Sequence, residues 1–179
     1  MGNALIFCGI KHCGKSTLGR TLARQLGIPF TDTDEMLEKR WQCSCRELFK
    51  SIGEEAFRQR ETQILSELDP EIFQVISLGG GALLKEENLP ILKGLGRFIW
   101  CDVDDRTAFE RITAGGLPPF LAQADSPFEE FCTRNKSRRA TFLAVCDVHF
   151  LPLPGLTPEE NTEKLRTLLL EKGMIEKWQ

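Results

Sequence analysis

Gly9-Ile10-Lys11-His12-Cys13-Gly14-Lys15-Ser16 follows the pattern G-x-x-x-x-G-K-[ST], and an apolar run, Asn3-Ala4-Leu5-Ile6-Phe7-Cys8, stands directly before it. After it, Ser16–Leu26 carries Leu18, Leu22 and Leu26 at helical spacing on one face. Strand, glycine-flanked loop and helix, in that order, turn several backbone N–H groups toward one point at a helix N-terminus, where an anion is favoured. In such a loop the Lys15 ammonium reaches the β- and γ-phosphates of a nucleotide, and the Ser16 hydroxyl binds Mg²⁺. Lys11, His12, Cys13, Gly14 and Thr17 complete the expected nucleotide cradle.

The chain is long enough, at 179 residues, for one domain with a full core. A net charge of −3 gives no reason to expect nucleic acid or an anionic membrane surface as partner, so any basic site must be local. No apolar run is long enough to cross a bilayer, and no secretory signal precedes the first strand. The seven cysteines are odd in number and irregular in spacing; Cys8, Cys101 and Cys146 lie in apolar runs and read as small core residues. A reducing cytoplasm is the expected setting.

Strand-like runs are expected at Ala4–Cys8, Pro29–Thr31, Gln74–Leu78, Arg97–Val103 and Val148–Leu151. Helical patterns fill the intervals at Ser16–Leu26, Asp34–Arg40, Cys45–Leu68, Leu89–Leu92, Arg106–Thr113 and Pro127–Val145. A last helix opens at Thr157-Pro158-Glu159-Glu160, an N-cap, a first-turn proline and a capping-box glutamate. Alternating strands and helices imply an α/β fold of three layers, a parallel sheet with helices on both faces. Gly115-Gly116-Leu117-Pro118-Pro119 joins a flexible hinge to a stiff turn. A mobile lid over about 113–126 and an ordinary surface loop are both compatible with it.

Four constellations carry chemistry. Thr31-Asp32-Thr33-Asp34 places two carboxylates just past a strand end, where ligands gather in open α/β sheets. Asp32 is a candidate for the metal shell and Asp34 for a substrate hydroxyl, and the pair equally suits the N-cap of a helix beginning near Glu35. Arg58 and Glu61 share a helix face, either as a surface ion pair or as an arginine held by a carboxylate to meet an anionic group. Gly79-Gly80-Gly81 exceeds what a turn needs and favours a ligand lying against bare backbone. Arg134, Lys136, Arg138 and Arg139 form a basic cluster, a solvated helix face or a source of guanidinium groups for phosphate and anionic substrate.

Together these residues resemble the shikimate kinase family over nearly the whole chain, in the phosphate loop, Asp32-x-Asp34, Phe57-Arg58-x-x-Glu61, Gly79–Gly81 and an arginine ahead of the terminal Cys146-Asp147. The resemblance implies a P-loop kinase fold with a five-stranded parallel sheet in order 2-3-1-4-5. It also implies a substrate-binding region at about 33–61, and transfer of the γ-phosphoryl group of ATP, with Mg²⁺, to the 3-hydroxyl of shikimate by a monomer. Arg58 and Arg138 would clamp the shikimate carboxylate, and Gly80 and Gly81 would line the pocket. Asp34 would bind ring hydroxyls and orient the nucleophile, and Asp32 would act through the metal. Arg111 would stack on adenine opposite Pro152 or Pro154.

Three departures stand against the family pattern. Leu117-Pro118 replaces an Arg-Pro pair in the lid, His12 replaces a glycine in the phosphate loop, and Phe142 stands where a tyrosine is usual. Arg111, Arg134 and Arg139 are candidates for the missing lid cation, Arg134 first. Two other readings compete: a related kinase of the gluconate type, and a nucleotide-binding relative with weak or lost turnover. The intact Lys15, Ser16, Asp32 and Asp34 favour a working kinase.

Overall fold

The computed structural model describes residues 2–114, 116–117 and 121–176. The elements run β1 (Ala4–Cys8), α1 (Lys15–Leu26), β2 (Phe30–Asp32), α2 (Thr33–Trp41), α3 (Cys45–Ser66), β3 (Val75–Ser77), α4 (Asn88–Leu95), β4 (Gly96–Cys101), α5 (Asp105–Thr113), α6 (Pro127–Val145), β5 (Val148–Phe150) and α7 (Pro158–Glu171). A 3-10 turn at Ala82–Leu84 lies between β3 and α4. The strands form one sheet in the order β2-β3-β1-β4-β5, and every adjacent pair is parallel. That is the order implied by the family resemblance. Part of the expected lid, residues 115 and 118–120, lies outside the described residues.

Parallel strands need long crossovers, and here the helices supply them and cover the sheet. β1 is therefore buried along its whole length, with Ile6 paired to Ile76 on one side and Phe98 on the other. The main core gathers Leu5, Ile6, Phe7, Leu22, Ile76, Leu92 and Ile99 among others. Each such side chain contributes about 1.5–3 kcal/mol by leaving water. A second, smaller cluster of Leu37, Leu48, Phe57 and Ile64 sits between α2 and α3 and anchors the part of the chain that carries Arg58.

Helix boundaries follow capping chemistry. Thr157 and Glu160 form the expected capping box of α7, and Ser44 with Glu47 forms another at α3. α3 is not one continuous helix as expected: Gly53 takes a non-helical φ of 79°, so the turn carrying Arg58 starts afresh after it. α2 begins two residues before Glu35, at Thr33, and its cap is the Asp32 side chain, which accepts from the N–H groups of Asp34 and Glu35. Asp34 thus lies inside the first turn and is free of the capping duty.

The phosphate loop is tightly seated. A Cβ on Gly9 would stand 2.3 Å from the Cys101 carbonyl oxygen and 2.7 Å from Cys13 Sγ, so the loop packs directly on the end of β4. Gly14, the N-cap of α1, has φ 97°. His12 has φ 63°, a left-handed conformation that costs an L-residue about 1 kcal/mol relative to glycine. His12→Gly should therefore stabilise the fold by about 1 kcal/mol, read from urea unfolding midpoints at pH 7. Lost hydration, then Lys11, Lys15 and Arg111, lower the His12 pKa. Below about pH 6.5 the unfolded chain thus takes up a proton the native imidazole resists, and native stability falls. The advantage of His12→Gly should widen as pH drops through that range, and an unchanged gap would refute the charged environment assigned to this imidazole.

Candidate active site

Parallel order brings the carboxyl ends of β1, β2 and β3 side by side, and three hydroxyl or carboxylate groups meet there. Ser16 Oγ donates to Asp32 Oδ2 at 2.7 Å and stands 3.0 Å from Ser77 Oγ. With the Ser16 proton committed to Asp32, the Ser77 hydroxyl donates to Ser16. Asp32 takes the capping duty through Oδ1, which accepts from the N–H groups of Asp34 and Glu35, while Oδ2 accepts from Ser16 Oγ. Ser16 and Asp32 are hard oxygen donors on the rim of the phosphate loop. No group of three His, Cys, Asp or Glu arranged to hold a metal occurs among the described residues. This donor set fits Mg²⁺, which keeps several waters and takes one or two protein ligands plus phosphate oxygens. Lys15 is 8% exposed, and its ammonium donates to the Ile10 carbonyl at 3.3 Å, an acceptor within the loop itself.

The acceptor side is built on the exit of β3. A Cβ on Gly79 would lie 2.4 Å from Asp34 Oδ1 and 3.1 Å from Glu61 Oε1, and one on Gly81 would lie 2.3 Å from Arg58 Nη1. The bare backbone therefore receives the Asp34 carboxylate at one end and the Arg58 guanidinium at the other. Between them, a Cβ on Gly80 would meet the phosphate-loop backbone at ordinary van der Waals distance, 3.6 Å from the Lys11 nitrogen. Gly79 N–H donates to Thr33 Oγ1 at 2.9 Å, which ties the glycine turn to the start of α2. Glu61 is 4% exposed and forms a close ion pair with Arg58, while Glu54 approaches the same guanidinium at 3.7 Å. The Arg58–Glu61 pair is thus a held arginine and not a solvated surface pair.

α6 packs across the Ala82–Leu84 turn and brings in Arg138. Burial, then the charges of Arg58 and Arg134, lower the Arg138 pKa. Two guanidinium groups share this corner, and Arg138 makes no hydrogen bond or ion pair among the described residues. Burial, then Asp32, raises the Asp34 pKa, while Lys15 and Lys11 oppose the rise. Glu61 is likewise raised by burial, and Arg58 counters it. Cys45, whose Sγ donates to the Asp34 carbonyl at 3.5 Å, is pushed up to about 12 by burial and by Asp34.

The candidates for a further cation are distributed differently. Arg139 is consumed by Asp102, Asp105 and the Val103 carbonyl, and so clamps α6 to the end of β4. Arg134 pairs with Glu130 one turn earlier. Arg111 donates to the His12 carbonyl at 3.1 Å, which holds it against the phosphate loop. Pro154 lies on the exposed loop after β5, whose backbone is tied down by Asn161. Strand order thus puts Arg111 and Pro154 on the β4–β5 side of the loop, and Asp34 and Arg58 on the β2–β3 side. Leu117 is exposed.

Three supporting residues were not visible as such in the sequence. Ser77 completes the Ser16–Asp32 group, Thr33 ties the glycine turn, and fully buried Asn88 bridges Thr62 on α3 to the Ala82 carbonyl. A polar residue inside an apolar strand or at a helix start was the available signal for Ser77 and Asn88, and the partner in each case is remote in sequence.

A family model described as Shikimate kinase matches residues 11–169. A shikimate kinase from Thermodesulfovibrio yellowstonii is 32% identical over 161 residues, covering 90% of this chain and 91% of its own length. One from Haemophilus influenzae is 33% identical over 159 residues, covering 89% and 86%. Among solved structures, shikimate kinase from Acinetobacter baumannii in complex with shikimate superposes with a TM-score of 0.84 at 26% identity, covering 96% of this chain and 94% of that one. A family match over most of the sequence, with the phosphate loop, the Asp34 carboxylate and the Arg58 guanidinium gathered on one edge of the sheet, makes this chain a member of the shikimate kinase family.

Proposed function

We propose that this protein transfers the γ-phosphoryl group of ATP to the 3-hydroxyl of shikimate, giving shikimate 3-phosphate and ADP. The observation that carries it is the pairing of Arg58 with Arg138 beside Asp34, across a glycine turn from the phosphate loop. A small hydroxy acid satisfies all of these groups at once: a carboxylate for the two guanidinium groups and a hydroxyl for Asp34.

Phosphoryl transfer needs alignment and charge stabilisation more than covalent help. Backbone N–H groups of residues 11–17 and the Lys15 ammonium hold the β- and γ-phosphates. Ser16 and Asp32 are the residues that would hold Mg²⁺, which when bound neutralises phosphate charge. Arg58, braced by Glu61, and Arg138 anchor the carboxylate, while Gly80 and Gly81 let the ring lie against backbone. Asp34 orients the acceptor hydroxyl and takes its proton; a carboxylate is a weak base toward an alcohol, so the proton moves late. Arg111 and Pro154 flank the base. The segment at about 113–126 acts as the lid and excludes water as acceptor. The protein acts as a monomer in this reading, and seven free cysteines suit a reducing cytoplasm.

Wild-type protein with Mg-ATP should release ADP only when shikimate is present, in a coupled assay; ATP binding without shikimate-dependent ADP would sink the proposal. Arg58→Ala should raise the KM for shikimate about 30- to 100-fold, the value of about 2–3 kcal/mol for a lost charged contact, and leave ATP affinity near wild type. Asp34→Asn should lower kcat by about 10²–10⁴ with little change in nucleotide binding, measured by titration calorimetry. Gly80→Ala separates folding from binding. Its methyl meets nothing closer than 3.6 Å, so melting should match wild type while shikimate affinity falls.

A further inference from the structure

The cations around the phosphate loop divide by what holds them. Arg58 is braced by Glu61 and Glu54, Arg139 by two aspartates, Arg111 by the His12 carbonyl, and Arg134 by Glu130. Lys11 differs from all of these. It is exposed and makes no hydrogen bond or ion pair with any described side chain. It belongs to the phosphate loop by sequence, yet its backbone nitrogen abuts Gly80, the middle of the acceptor turn. Its ammonium charge reaches groups on three separate elements: His12 in the loop, Asp34 at the start of α2 and Cys45 at the start of α3. His12 belongs to the phosphate loop and Asp34 and Cys45 to the acceptor side, so the charge of Lys11 acts on both, as the seat of its backbone against Gly80 requires.

That position is where charge develops during transfer. A bond forms from the acceptor hydroxyl oxygen to the γ-phosphorus. The bond from that phosphorus to the β–γ bridging oxygen breaks, and its electron pair leaves on ADP. The hydroxyl proton passes to Asp34. In between, negative charge is spread over the three equatorial oxygens of the moving group. Lys15 serves the nucleotide side, and Arg58 with Arg138 serve the carboxylate end. Leu117, an uncharged residue, brings nothing to the middle from the lid segment.

We propose, on the assignment of acceptor made above, that Lys11 is a catalytic residue that touches the equatorial oxygens of the phosphoryl group in flight, supplying from the fixed loop a cation that the lid segment lacks at Leu117. A cation confined to this stage stabilises the transition state more than either bound substrate.

The test compares wild type, Lys11→Met and Lys11→Arg. Lys11→Met should lower kcat about 100- to 1,000-fold and leave the KM for shikimate within about threefold. Independently of turnover, Mg-ADP with aluminium fluoride and shikimate, a mimic of the planar phosphoryl group, should bind Lys11→Met at least about 100-fold more weakly than wild type. Mg-ADP alone should bind both proteins equally, and Lys11→Arg should recover most of the loss in each measurement. Wild-type turnover with Lys11→Met within threefold of it would overturn the Lys11 assignment alone. So would an equal loss of Mg-ADP and of the fluoride complex, which would make Lys11 an ordinary nucleotide contact. A wild type inactive toward shikimate would overturn the functional proposal together with this one.

Discussion

Everything at the acceptor side depends on the absence of three side chains. Methyl groups at Gly79 and Gly81 would coincide with the Asp34 carboxylate and the Arg58 guanidinium, so either one would push that group out of its present place. Asp34 is fixed by its place in the first turn of α2, and that turn is fixed by the Asp32 cap. Arg58 is fixed by Glu61 one turn on and by the small core cluster beneath Phe57. The bare turn is therefore the meeting surface of two helices that do not otherwise share a binding group. Its own position is set by Gly79 bonding Thr33 and by Asn88 holding the Ala82 carbonyl. Fold and site are coupled through backbone, which is the stiffest connection available.

Charge balance explains why this arrangement binds anions in place of collapsing on itself. Asp34 is a half-buried and Glu61 a buried carboxylate, a short distance apart across Gly79, and lost hydration alone would favour their neutral forms. Arg58 compensates Glu61, and Lys15 with Lys11 partly compensate Asp34. Arg138 is left beside Arg58: burial, then the charges of Arg58 and Arg134, lower its pKa, and Glu54 opposes the shift. A ligand carboxylate at that corner relieves the repulsion and gains bidentate contacts, so the protein holds unfavourable electrostatics in the free state that binding removes. The same logic applies to Lys15, a nearly buried ammonium with one long bond to its own loop.

Much of this was legible in the sequence because its determinants are local. The phosphate loop is contiguous, the strand runs Ala4–Cys8 and Phe98-Ile99-Trp100 are apolar because both faces are covered, and the α7 capping box is four residues long. The sheet order came from the resemblance, because strand order is a matter of which crossover lies where and leaves no mark on any single strand. Errors occurred where one residue decides a boundary. Asp32 caps α2 two residues earlier than the Asp34 alternative, and Gly53 breaks a helical pattern that periodicity alone carries through. The roles of Ser77, Thr33 and Asn88 were hidden because their partners lie 61, 46 and 26 residues away. The same distance effect removed Arg139 from the list of free cations: its carboxylate partners, just past β4 and at the start of α5, are not visible from α6.

The proposed transfer of a cation from lid to loop has an energetic consequence. A cation carried by a lid must be brought to the phosphates at each closure, and the ordering of that segment is a cost set against the charge it delivers. A cation carried by the phosphate loop sits on a backbone already in place, because Gly9 wedges the loop against Cys101. Preorganised charge needs no reorganisation at the moment of reaction. The cost is moved to the free enzyme, where burial, and then Lys11, Lys15 and Arg111, depress the proton affinity of the His12 imidazole. With the charge supplied from beneath, the covering segment has only water to exclude, and for that an apolar residue such as Leu117 is better suited than a guanidinium, which would have to be stripped of its own hydration first.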